Sequence, residues 1–176
     1  MDNDAQVLAL LHALDQLPGP DHLEFPDGFN YPLAKSQALR LKERLSKDFG
    51  CACELDDQVQ DASYCFRAAL PVGATEAGVP LSVRLSNYGN LAVVTAPWPD
   101  SHDDLDHAVR EGALSTADRS RIEAALRDLG YTVVPPRLLH QPYDGTTWLA
   151  GEGFCCISYG PHQGRATWWT RFFEHL

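Results

Sequence analysis

Val79-Pro80-Leu81-Ser82-Val83-Arg84-Leu85-Ser86, followed by Asn87-Tyr88-Gly89-Asn90 and then Leu91-Ala92-Val93-Val94-Thr95-Ala96, is the stretch on which the fold turns. In its first part Val79, Leu81, Val83 and Leu85 alternate with small or polar residues. That period of two puts all four side chains on one side of an extended chain. Asn-Tyr-Gly-Asn is hairpin chemistry, because Gly and Asn accept the positive φ that such turns need. The run after it has no polar break before Thr95 and reads as the returning strand. Two strands joined this closely pair antiparallel, which makes the segment the centre of a β-meander.

Working towards the N-terminus, residues 63–70 place Tyr64, Phe66, Ala68 and Leu70 on one face of a further strand, and residues 51–60 read as a more polar one. Before them the period changes to that of a helix. Ala34, Ala38, Leu41, Leu45 and Phe49 recur at helical spacing, with Pro32 suited to the first turn and Gly50 to the C′ position. A first helix carries Val7, Leu8, Leu11, Leu14 and Leu17, with Asn3 or Asp4 as its cap. Pro18-Gly19-Pro20 stops it.

Towards the C-terminus, Pro97-Trp98-Pro99 closes the meander. Ser101 with Asp104, and Ser115 with Asp118, have the spacing of reciprocal helix caps, and Ile122, Ala125, Leu126 and Leu129 form a helical stripe ending at Gly130. Residues 131–134 read as a short strand, cut off by Pro135-Pro136. After a turn at Pro142-Tyr143-Asp144-Gly145, residues 154–159 and 167–173 are expected to be strands. The second of these has Trp168, Thr170 and Phe172 on one face and Trp169, Arg171 and Phe173 on the other. The expected fold is α+β over residues 1–176 as a single domain: helices packed on a mainly antiparallel sheet, with a central β-meander and an aromatic C-terminal strand.

Composition narrows the function classes. A formal net charge of −10 argues against a nucleic-acid partner, since phosphate contact needs a basic surface. All three lysines (Lys35, Lys42, Lys47) fall in the second helix, whereas from Glu54 to Asp106 acids outnumber bases nine to two. No apolar run is long enough for a membrane helix, and the acidic opening Met1-Asp2-Asn3-Asp4 lacks the basic start of a signal peptide, so a cytoplasmic protein is expected. The 5 cysteines cannot all pair with one another, and neither Cys51/Cys53 nor Cys155/Cys156 has C-x-x-C spacing, so reduced thiols are expected. Gly151-Glu152-Gly153 lacks the third glycine of a phosphate loop. No cofactor is implied.

The densest polar cluster runs from Asp100 to His107. Asp103 and His107, four apart on a helix, share a face and can reach one metal ion, but acids here equally serve the free N–H groups of a helix start. Asp56 and Asp57 are adjacent and diverge on a strand, which suits an exposed edge better than acid–base work. His162, in a glycine-flanked loop, is the most plausible catalytic histidine, yet no Gly-x-Ser-x-Gly or other catalytic signature accompanies it. The aromatic ending resembles the tails of small bacterial proteins and supplies no catalytic residue.

The resulting expectation is a protein-binding or inhibitory module, such as a toxin-neutralising immunity protein, with a basic protein as partner and neither nucleic acid nor membrane. A complementary surface leaves no motif. The contact residues expected are Asp56, Asp57, Asp103, Asp104 and Asp106 on the acidic stretch, with Trp148, Trp169 and Arg171 on the aromatic tail. The alternatives are an enzyme or small-molecule binder with a pocket near the C-terminal aromatics, and an assembly subunit that dimerises through a strand edge.

Overall fold

The computed structural model describes residues 2–57, 66–151 and 164–174. Two helices come first, α1 (Asp2–Asp15) and α2 (Tyr31–Phe49). The caps of α2 match its sequence signals. Asn30 Oδ1 accepts the Leu33 N–H, Pro32 lies in the first turn, and Gly50 takes φ 61° to close the C-terminus. That left-handed angle costs glycine nothing, for want of a Cβ. For α1 the expected cap is corrected. Asn3 and Asp4 are already helical, and the Asp4 carboxylate binds Arg137 instead.

The meander follows as β1 (Glu54–Asp56), β2 (Phe66–Leu70), β3 (Leu81–Leu85) and β4 (Leu91–Thr95), each antiparallel to the next. The strand expected over 51–60 is observed only at Glu54–Asp56, and residues 58–65 lie outside the described residues. Helices α3 (Leu105–Arg110) and α4 (Thr116–Asp128) then carry the chain to β5 (Thr132–Val133), which pairs parallel to β4. The sheet order is therefore β1-β2-β3-β4-β5, mostly antiparallel with one parallel edge. Asp104, not Ser101, caps α3; Ser115 caps α4 as expected. Asp118 does not reciprocate. Its buried carboxylate accepts the Glu76 N–H at 2.7 Å and Arg121 Nη1 at 2.7 Å.

Helices cover both sides of β4. Ala92 and Val94 join a core with Leu41 and Leu45 of α2 and Ile122 and Leu126 of α4. Leu91 and Val93 face a second core built by Val7 and Leu11 of α1, Leu138 and Leu139 of α5 (Pro136–Leu139), and the C-terminal aromatics. This explains why residues 91–94 are all apolar while β3 alternates. On β3 the second face carries Ser82 and Arg84, which meet Thr95 and the Phe173 carbonyl.

The aromatic tail corrects the fold expectation. Residues Trp168–Phe173 form a helix, α6, not a strand. Thr167 and Thr170 make a reciprocal capping box, which satisfies two N–H groups at the helix start. Helical spacing then stacks Trp168 on Phe172 (5.8 Å) and sets Trp169 against Phe173 (5.6 Å). All six residues are buried, so the segment shows no polar face that would betray its period. Residues 154–159, the other expected strand, and His162 lie outside the described residues. Among the described residues no helix is long and apolar enough to cross a membrane.

Candidate functional site

The acidic cluster lies just beyond the carboxyl end of β4. There the chain leaves the sheet through Pro97-Trp98-Pro99, a turn closed by Trp98 N–H to Ser101 Oγ (3.3 Å) and Ser101 N–H to the Trp98 carbonyl (3.2 Å). Trp98 is 68% exposed, the most exposed of the large apolar side chains among the described residues. Asp100, Asp103 and Asp106 are exposed around it in sequence, and Asp104 is half-buried.

Each carboxylate has its own task. Asp104 Oδ1 accepts the His107 N–H (2.8 Å) and its Oδ2 accepts Arg137 Nη1 (2.8 Å), so one side chain caps α3 and ties it to α5. Asp106 pairs with Arg119 of α4, whose Nε also reaches Glu123 at 3.1 Å. The hydrogen bond from Arg119, reinforced by its charge, holds the Asp106 carboxyl below its ordinary range, and Asp106 in turn pushes the guanidinium up. Asp103 donates its backbone N–H to His107 Nδ1 (3.2 Å), and its carboxylate lies 3.6 Å from the same nitrogen. Among the described residues no group of three or more His, Cys, Asp and Glu side chains is placed to hold a metal ion.

Behind this ledge is a cleft of about 370 Å³ at the carboxyl ends of β4 and β5, the two parallel strands. Its floor includes Val94, Leu105, Val133 and Pro136; its rim includes Asp104, Asp106 and Glu123 opposite Arg119, Arg127 and Arg137. Crevices outside the carboxyl ends of parallel strands are where α/β sheets bind ligands, because the flanking loops diverge there. Tyr131 also lines it, its hydroxyl pushed up to about 12 by burial.

Comparison with protein-family models, curated proteins and solved structures returned no match. The site therefore rests on its own geometry.

The eight residues singled out from sequence separate into three places. Asp103, Asp104 and Asp106 gather at the ledge. Asp56 and Asp57 lie at the far edge of the sheet, where Asp56 is 4.0 Å from Arg67 and Asp57 pairs with Lys35 at 3.0 Å. That Lys35 contact holds Asp57 below the ordinary carboxylate range. The third place is around α6. Trp148 is 49% exposed and donates its indole N–H to the Asp21 carbonyl (2.9 Å). Trp169 and Arg171 are interior: the Arg84 guanidinium stacks on the Trp169 ring at 5.4 Å, and Arg171 is locked to Asp15 at 2.6 Å.

Two residues of consequence escaped the sequence reading. Trp98 read as punctuation, although a tryptophan between prolines and ahead of an acidic run is a signal for an exposed aromatic. Asp15 stands at the polar end of a helix, where the sequence singles out nothing. In fact it is buried, and it accepts hydrogen bonds from the Tyr143 hydroxyl (2.7 Å), the Thr146 N–H (2.8 Å) and Arg171 Nε (2.6 Å). Burial acts to raise its pKa, but these donors outweigh it and hold the carboxyl below its usual value.

Proposed function

We propose that the chain is a protein-binding module that docks a basic partner on the ledge of Trp98, Asp100, Asp103 and Asp106, in the manner of an inhibitor such as a toxin-neutralising immunity protein. The observation that carries this reading is the 68% exposure of Trp98 in a closed turn directly ahead of three exposed carboxylates. Tryptophan is the residue most enriched among binding hot spots, because a rigid ring buries a large area at little entropic cost. The turn hydrogen bonds restrict its backbone before any partner arrives, which lowers the ordering cost of association. The carboxylates add a field that accelerates encounter with a cationic surface.

The test is affinity capture with the full chain and with two variants, Trp98→Ala and the triple Asp100→Asn/Asp103→Asn/Asp106→Asn. The reading expects a basic partner whose dissociation is accelerated in Trp98→Ala by ~2 kcal/mol or more of binding energy. The triple variant is expected to slow association and flatten its salt dependence. An acidic partner, or one held equally by both variants, would overturn it. Neutralisation of the captured protein's activity on mixing separates an inhibitor from a passive binder.

A further inference from the structure

β5 is an edge strand, with β4 on one side and, among the described residues, no strand on the other. The cleft behind the ledge lies against it, lined by Val133, Val134 and Pro135. We propose that this cleft takes an extended peptide segment of a partner protein, which pairs with β5 as a further strand and sets a carboxylate against Arg127. The pairing needs neither Trp98 nor a basic partner, so it stands apart from the ledge.

The bonds to β4 use alternate residues of β5. The Thr132 N–H donates to the Asn90 carbonyl (2.9 Å) and the Val134 N–H to the Ala92 carbonyl (2.8 Å). Successive residues of a strand turn their main-chain groups to opposite edges, so the N–H and carbonyl of Val133 point away from β4. Neither forms a hydrogen bond with any described residue. Val133 is only partly buried and lines the cleft, so this donor and acceptor have room to be met. One residue of an antiparallel strand satisfies both at once. In such strand addition the main-chain bonds supply affinity and alternate side chains supply selectivity.

Shape and charge choose the occupant. Glu123 and Arg127 of α4 and Pro136 and Arg137 of α5 stand around the edge, and Pro135 ends it. A second copy of this chain, its own edge walled in the same way, cannot bring two such strands to the ~4.8 Å spacing of a sheet. A single extended segment can, and the cleft of about 370 Å³ admits a few of its side chains over the apolar floor of Val94 and Leu105. Asp104 is paired with Arg137, and Asp106 and Glu123 with Arg119. Arg127 is exposed on the same rim and forms no ion pair with any described residue. It is the charge the cleft leaves open, and a carboxylate on the segment complements it.

The experiment titrates the ¹⁵N-labelled full chain with the capped pentapeptide Thr-Val-Glu-Val-Thr, following the Val133 and Leu105 amides. Saturable shifts at both are expected over the millimolar range. Two N-methylated analogues test the pairing, one methylated at the central residue and the other at the residues on either side. The two sets of amides face opposite edges, so one analogue is expected to bind at least about tenfold more weakly and the other close to the parent peptide. Val133→Pro removes the outward N–H without removing a bond to β4, and is expected to weaken the parent peptide about tenfold. Should that variant fail to fold, the methylated analogues carry the same test on the unaltered chain. Arg127→Gln is expected to bind about threefold more weakly and to lose the preference for Glu over Lys at the centre of the peptide. Absence of saturation, equal binding of the two analogues, or unchanged binding by Arg127→Gln would overturn the proposal. So would concentration-dependent shifts at Val133 without peptide, the sign of a second copy. No residue of the ledge is varied, so such a failure leaves the ledge reading standing.

Discussion

Asp15 and Arg171 are 156 positions apart and share a contact of 2.6 Å, with both side chains almost fully enclosed. A buried pair of this kind gives little net stability against an apolar replacement, but losing one partner strands a charge in a medium that cannot solvate it. Arg171→Met is therefore expected to cost about 3–5 kcal/mol in urea unfolding, and adding Asp15→Leu to it is expected to recover much of that loss. The pair also has a pH signature. Because the folded-state pKa of Asp15 is depressed, its contribution is fully present above the unfolded-state value (~3.9). It is lost as pH falls through the lower folded-state value. Denaturant midpoints measured from pH 6 down to pH 2 are expected to fall less steeply in Asp15→Asn than in the parent. Cys53 shows the opposite case at the same scale. Burial, with the neighbouring Cys51 adding to it, pushes its thiol up to about 11. It is expected to resist iodoacetamide at pH 8 until the chain unfolds, as read by peptide mass mapping.

Among the elements, α2 and α6 are a contrast in what local sequence conveys. Asn30, Pro32 and Gly50 mark the ends of α2, and its buried residues Ala38, Leu41 and Leu45 keep a helical stripe against an otherwise polar sequence. Every part of that description is local. In α6 six consecutive residues are buried, so the alternation that distinguishes a helix from a strand is missing. Trp, Thr and Phe also favour extended structure when considered one at a time. What decides for the helix is the Thr167–Thr170 box and the core that receives both sides of it. Thr167→Ala is accordingly expected to lower stability by about 1–2 kcal/mol, at the upper end for a cap, because the freed Thr170 N–H is buried with no water to turn to. Thermal unfolding measures the loss, and Thr167→Ser is expected to restore most of it.

At the scale of the molecule, the sheet is enclosed on both sides at β4 while its other edge, β1, presents Glu54 and Asp56 to solvent. Val93 tests the enclosure. Val93→Thr keeps the shape and adds one hydroxyl, which is harmless on a wet face but expected to cost about 1–3 kcal/mol between dry layers; equilibrium denaturation distinguishes the two. The same layering places the proposed docking surface: the acidic ledge and the cleft behind it lie at the carboxyl ends of β4 and β5.

Sequence alone determined those features whose physics is local or additive: the net charge of −10, the two N-terminal helices, the antiparallel meander through Asn87–Asn90, and the acidic run ahead of α3. Periodicity, turn chemistry and charge density are properties of a short window, and a window suffices to read them. Only the tertiary structure decided which residues of that run pair and which stay open, that β5 joins β4 in parallel, and that the aromatic ending winds into a helix. It alone brought Asp15 to Arg171 and left Trp98 in solvent. Each of these depends on what a distant segment covers, because burial sets both the energy of a charge and the exposure of a ring.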